Sequence, residues 1–208
     1  MKLYSHWRST TSYRVRIALH LKQIAFETVP IDLVAGDQRD AEYLAVNPVA
    51  GVPALVLEDG TVLTQSMAIL EWIEARHPDP TLIPRDPVQA ALIRGAALVM
   101  AADVHPVNNL KVVQQLKAMG HDQDEAVAWM QDWMTRGLTA YDALIPGGAF
   151  SFGDAPSLAD ICLVAQLYNA HRWGVDLSPF PRLTEIEARC LALPAFDAAH
   201  PQNQPDAA

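Results

Sequence analysis

Cysteine is scarce: Cys162 and Cys190 are the only two in 208 residues. They form no Cys-x-x-Cys pair and no zinc-type spacing, which argues against a disulfide framework, a structural metal and thioredoxin-type redox chemistry. No metal site is expected. Positive charge is also short, with 15 Lys and Arg against 24 Asp and Glu and a net charge of −9, which speaks against nucleic acid as a partner. The first residues lack a basic segment followed by an apolar run, so no signal peptide is expected. No stretch is read as reaching the roughly 18 apolar residues of a membrane span, so no membrane partner is expected and the cytoplasm is the expected location. Glycines at 148 and 153 outline a loop, but no Lys-Ser/Thr follows and a phosphate loop is rejected.

What is present is an ordinary globular balance, 50% hydrophobic and 19% charged, enough for one or two domains with a sizeable core. A chain this acidic must gather Arg or Lys locally to hold an anionic ligand.

Residues 1–78 read as mixed α/β. A strand over 2–4 is followed by a helix over 12–22 and an alternating strand over 26–31. A polar stretch, 36–46, carries a helical turn near 41–45. Residues 53–57 and 62–64 flank Asp59-Gly60, a hairpin signal. Ser66 reads as the cap of a helix whose stripe is Ile69, Leu70 and Ile73, ending before Pro78. The order βαβ…ββα matches a thioredoxin-like unit. A proline-rich connector, 79–87, follows, and residues 88–208 read as all-helical. Pro106 should break the long helical pattern of 88–119, because proline lacks an N–H and crowds the carbonyl four residues back. Helices are expected over 125–144, 158–168 and 182–191. Trp129 and Trp133 share one helix face and are assigned to the core. Ser157 to Asp160 reads as a capping box, which makes Asp160 structural.

Four hydroxyl residues, Ser9 to Ser12, stand between the first strand and the first helix. Hydroxyl side chains cap helices by accepting from their free N–H groups, and a helix N-terminus attracts anions and favours thiolate over thiol. An ordinary capped helix has the same spacing. The stretch Ser9-Thr-Thr-Ser-Tyr-Arg-Val-Arg-Ile-Ala-Leu19 resembles the signature of zeta-class glutathione transferases, a class that includes maleylacetoacetate and maleylpyruvate isomerases. Most members carry Cys where this chain has Thr11; maleylpyruvate isomerases tend to carry Thr there. Residues 103–111, 169–177 and 204–207 also resemble segments of the family, in order.

The resemblance implies an α/β N-terminal thioredoxin-like domain and an all-α C-terminal helical domain, the glutathione transferase fold, in a homodimer. It implies glutathione as cofactor, with Ser9, Thr10 and Thr11 around its sulfur and Ser9 donating to the thiolate. Gln65 and Ser66 would hold the γ-glutamyl end, although a plain cap explains Ser66 equally well by spacing. Val52, before a proline that is cis in the family, would meet the cysteinyl backbone. Gln38, His105 and Asn109 would reach the glycine end. Arg8, Lys111 and Arg172 would hold the carboxylates of a small dicarboxylic oxo-enoate, with Arg8 beside the sulfur. Lys111 stands where bacterial members often have Arg, and offers a point charge in place of a planar fork. Arg14 and Arg16 are expected to face solvent or pair with acids. The implied reaction is cis–trans isomerisation of maleylacetoacetate, with maleylpyruvate isomerisation, or transfer of glutathione to electrophiles such as α-haloacids, as alternatives.

Overall fold

Lys2–Ser5 (β1) forms the second strand of a four-stranded sheet of order β2-β1-β3-β4. Glu27–Pro30 (β2) runs parallel to it, Ala54–Val56 (β3) antiparallel, and Val62–Thr64 (β4) closes the edge against β3. Leu3 pairs with Leu55, and both are fully buried. The Asp-Gly signal makes the β3–β4 turn: Asp59 Oδ1 accepts from Thr61 N at 2.9 Å, and Gly60 takes the positive φ that favours glycine. Thr10–Leu21 (α1) and Ser66–Arg76 (α3) pack against each other. Between β2 and β3 lie a 3₁₀ turn, Asp37–Arg39, and a short helix, Ala41–Val46 (α2). This computed structural model describes residues 1–207.

The chain divides into two units: Met1–Leu82 together with the residues from Leu191 onward, and Ile83–Cys190. The first boundary falls inside the expected connector. The second corrects the expectation that 88–208 form one helical domain. Pro194–Ala199 (α9) packs on α1, burying Phe196 and Ala199, so the chain returns to the first unit. That return also corrects the reading of Arg14 and Arg16. With α3 and α9 both packed against it, α1 has no face left for those side chains in water, and both are buried.

The second unit contains Pro87–Leu98 (α4), Leu110–Ala118 (α5), Gln123–Leu144 (α6), Leu158–Arg172 (α7) and Pro181–Leu191 (α8). Between α4 and α5 the chain is π-helical over Val99–Val104, then 3₁₀ over His105–Val107, which is the break Pro106 requires. Contrary to expectation, the run Pro87–Ala118 is long and apolar enough by composition to cross a membrane. Its apolar residues Ala90, Ile93, Ala97 and Met100 are buried in the unit's own core, while Val88, Leu92, Leu98 and Leu110 are exposed. Gly137 lets α6 approach the π-helical turn: a Cβ there would overlap Val104 Cγ2.

Two further expectations divide. The tryptophans are not core. The buried stripe of α6 runs through Met130, Met134, Leu138 and Tyr141, leaving Trp129 37% exposed beside Trp133, with its Nε1 donating to Val107 O. Asp160 is structural as expected, accepting from Ser157 N at 2.8 Å, Ser157 Oγ at 2.7 Å and Ser151 N at 2.8 Å.

Candidate active site

The β1–α1 turn is the chemically richest part of the first unit. Ser9 takes extended dihedrals and caps α1, its Oγ accepting from Ser12 N at 3.3 Å. The same oxygen lies 2.9 Å from Thr11 Oγ1, which donates to Val52 O at 2.8 Å. Thr11 has one hydroxyl proton and gives it to Val52, so in this arrangement the Ser9 hydroxyl donates to Thr11. A relay of two hydroxyls thus joins the helix N-terminus to the Val52–Pro53 junction, whose peptide bond is cis. Ser9 and Thr11 are half-buried, whereas Thr10 is buried beneath them.

Arg16 explains why the turn has a defined shape. Its guanidinium donates to Ser5 Oγ at 3.0 Å, His6 O at 3.4 Å, Trp7 O at 2.7 Å and Ala199 O at 3.0 Å. Arg8, half-buried, holds its guanidinium 5.3 Å from the centre of the Trp7 ring. Arg8 and Trp7 line a cavity of about 270 Å³ with His6, Asp32, Val34 and Asp206. Burial lowers the His6 pKa, opposed by its bond to Ile31 O, so the ring is held neutral more strongly than usual.

Ser66 is not the cap of α3. Gln65 occupies that position with φ 68°, in the left-handed region that non-glycine residues avoid, and Ser66 begins the helix. The Ser66 hydroxyl is buried and accepts from Arg14 Nη1 at 3.4 Å. Gln38 is buried in the 3₁₀ turn; its Nε2 reaches Leu33 O at 3.5 Å and its Oε1 has no partner among the described residues. The first unit therefore assembles Ser9, Thr11 and Val52 directly, and places Gln65 with Ser66 at a second helix N-terminus.

The second unit carries His105, Asn109, Lys111 and Arg172. His105 is half-buried in the 3₁₀ turn. Asn109 caps α5, its Oδ1 accepting from Lys111 N at 2.9 Å and its Nδ2 donating to Pro106 O at 3.0 Å, so its polar atoms are engaged locally. Its neighbour Asn108, missed in the sequence, is buried, with Oδ1 unpartnered among the described residues and Nδ2 against Met130 Sδ at 3.4 Å. Only the Asn108-Asn109 doublet hinted at it: one residue caps, and the other is left over. Lys111 is exposed, and Arg172 is exposed at the end of α7 with its guanidinium 5.2 Å from the Trp173 ring centre.

The cradle in the first unit suits a thiol peptide. A helix N-terminus with two half-buried hydroxyls favours a thiolate, and the buried, unpartnered Gln38 Oε1 can accept from a ligand N–H.

Two family models match the chain: the glutathione S-transferase N-terminal domain over residues 8–76 and the C-terminal domain over 114–189. A maleylacetoacetate isomerase of Pseudomonas aeruginosa is 45% identical, over 99% of this chain and 98% of its own length. Among solved structures, a maleylpyruvate isomerase described as a bacterial zeta-class glutathione S-transferase has a TM-score of 0.97 at 42% identity, covering all of both chains. A maleylacetoacetate isomerase from Anaeromyxobacter dehalogenans, with glutathione bound in its active site, has a TM-score of 0.90 at 44% identity, covering all of this chain and 97% of that one.

Proposed function

The chain belongs to the glutathione S-transferase family, in its zeta class, and on that premise we propose that it is a glutathione-dependent cis–trans isomerase converting maleylacetoacetate to fumarylacetoacetate. The observation that carries this reading is the hydroxyl pair Ser9 and Thr11 at the N-terminus of α1, 2.9 Å apart and tied to Val52.

Bound glutathione supplies a thiolate that adds reversibly to the activated alkene, making the former double bond free to rotate until elimination restores it. The Ser9 hydroxyl turns from Thr11 and donates to the sulfur, while the open end of α1 favours its negative charge. Each unit by which the thiol pKa falls corresponds to about 1.4 kcal/mol, so bringing a thiol from about 8.5 to about 6.5 takes about 2.7 kcal/mol, within the combined range of a hydrogen bond to a charged group and a helix N-terminus. Thr10 supports this turn from beneath, and Thr11 carries no nucleophilic sulfur, so no covalent enzyme thiol is needed. Val52 meets the cysteinyl backbone, Gln65 and Ser66 the γ-glutamyl carboxylate, and Gln38 with His105 the glycine end. Asn109, engaged as a cap, is the weakest member of that set. Arg8, Lys111 and Arg172 hold the substrate carboxylates and offset charge developing on the oxo group.

Exposed Val88 and Leu92, one turn apart on α4, suit the proposed homodimer. Two free, buried cysteines suit a reducing cytoplasm.

Thr11 favours a second reading, maleylpyruvate isomerisation, because that residue matches the isomerases of that substrate. The test offers each oxo-diacid in turn with catalytic glutathione and follows loss of the cis-enone absorbance. The isomerase turns over one of them many times at constant total glutathione. Net consumption of glutathione would overturn isomerisation in favour of transfer to electrophiles.

A further inference from the structure

His6, Trp7, Arg8 and Ser9 form a tight turn closed by Ser9 N donating to His6 O at 3.0 Å. That bond leaves the Trp7 backbone at the turn's outer corner, and its N–H and its C=O are both held from elsewhere. Arg16 takes the Trp7 carbonyl at 2.7 Å. The Trp7 N–H donates to Asp206 Oδ2 at 2.9 Å, across 199 residues of sequence.

The position of Asp206 is itself fixed. Gln204 is buried and its Nε2 donates to Ala198 O at 3.0 Å and His200 O at 2.9 Å, fastening the segment to α9. Ala207 N then donates to Gln204 O at 3.0 Å, which closes a turn around Asp206. Asp206 Oδ1 is buried without a partner among the described residues, and Asp206 and Arg8 line the same cavity. A plain surface carboxylate would turn both oxygens to water; this one is spent on a backbone N–H next to the site's cation.

From this geometry we infer that Asp206 is a positioning residue: by holding the Trp7 N–H it fixes the ring on which Arg8 rests, and so sets where the Arg8 guanidinium meets a carboxylate ligand. The inference rests on the role given to Arg8 above. Asp206 touches neither thiol nor substrate. It acts through Trp7, and a charge is not required for that, only an acceptor of the right reach.

The test is calorimetric titration of malonate, a non-reacting dicarboxylate, into the glutathione-loaded protein. Asp206→Ala weakens malonate binding about tenfold, as misplacement of a binding group should. Asp206→Asn, which keeps an acceptor oxygen, stays within about twofold, and Asp206→Glu, one methylene longer, weakens binding although charge and acceptor are both retained. A purely structural Asp206 would lower the melting temperature of the alanine variant and leave malonate affinity of the folded protein unchanged, which would overturn the inference. Equal weakening by Asn and Ala would overturn it too, as would wild-type protein that binds no malonate. Turnover of the oxo-diacids by wild-type protein is read separately, so failure of the isomerase reading is distinguishable from failure of this one.

Discussion

In the first unit the buried Arg16 guanidinium spends its donors on Ser5, His6, Trp7 and Ala199, which belong to the site turn and to the helix that covers it. In the second unit the buried Asp160 carboxylate serves Ser151 and Ser157, which fasten the start of α7. Both are charged groups hidden from water, with each guanidinium nitrogen and each carboxylate oxygen hydrogen-bonded, the condition under which burial of a charge is tolerated. They differ in what they hold. Arg16 makes core and site one construction, so the site inherits the rigidity of the core. Asp160 serves folding alone, and the candidate site residues of its unit stand on separate segments.

That contrast is broken most directly at Arg16. Arg16→Ala takes the donor from Trp7 O and Ala199 O, while His6 O keeps Ser9 N, and with the lost packing should cost about 4 kcal/mol in denaturant unfolding. Folded protein that remains should also have lost isomerase activity, because the turn is no longer shaped. Asp160→Ala should cost somewhat less, about 3 kcal/mol, by leaving the Ser151 and Ser157 N–H groups unpaired. Its folded fraction, assayed well below its melting temperature, should keep kcat/KM within about threefold. If Asp160→Ala proved inactive while folded, the separation of core and site in the second unit would be wrong.

The elements near the first site were readable because their signals are local. Period-two and helical spacings, the Asp59-Gly60 turn and a hydroxyl cap within Ser9 to Ser12 depend on neighbours within a few residues, and the structure places the elements within a residue or two of expectation, with α1 starting at Thr10 behind a Ser9 cap. The failures have a common cause. Arg14 and Arg16 carry charge, and spacing alone sends charge to water; the packing of α3, whose Ser66 accepts from Arg14, and of α9, whose Ala199 O accepts from Arg16, buries them. Ser66 looks like a cap because it is a hydroxyl before an apolar stripe, but the backbone at Gln65 adopts a left-handed φ and starts the helix one residue earlier. The Asn108-Asn109 doublet offers two equal caps, and spacing does not choose between them. Trp129 and Trp133 lie one helix face away from the buried stripe. Asp206 resembled the family's closing segment without suggesting any task, since its partner Trp7 is 199 residues distant.

The two units also differ, by a smaller amount, in how they respond to pH. Burial lowers the pKa values of His6, His20 and His200, all in the first unit. Their folded forms bind protons less readily than the unfolded chain does. The stability they permit is therefore full above about pH 6.5 and is lost as pH falls through their lowered values. Glu187, in the second unit, is shifted the other way: burial raises its pKa, partly offset by its bond to His171. Its contribution is full below about pH 4.5 and is lost as pH rises through the raised value. Amide hydrogen exchange at about pH 7 and about pH 5.5, corrected for intrinsic rates, should therefore show the first unit weakening relative to the second. His20→Gln should reduce that difference, and equal weakening of both units would contradict it.

Everything in the proposed chemistry depends on the hydroxyl turn at the N-terminus of α1 making the thiolate. Titrating the thiolate absorbance of glutathione bound to wild-type protein and to Ser9→Ala tests it without reference to any substrate. The thiol is expected to be ionised at neutral pH in the wild type, with the apparent pKa raised by one to two units, about 1.4 to 2.8 kcal/mol, in Ser9→Ala. The same pKa in both proteins, with glutathione bound equally, would contradict it.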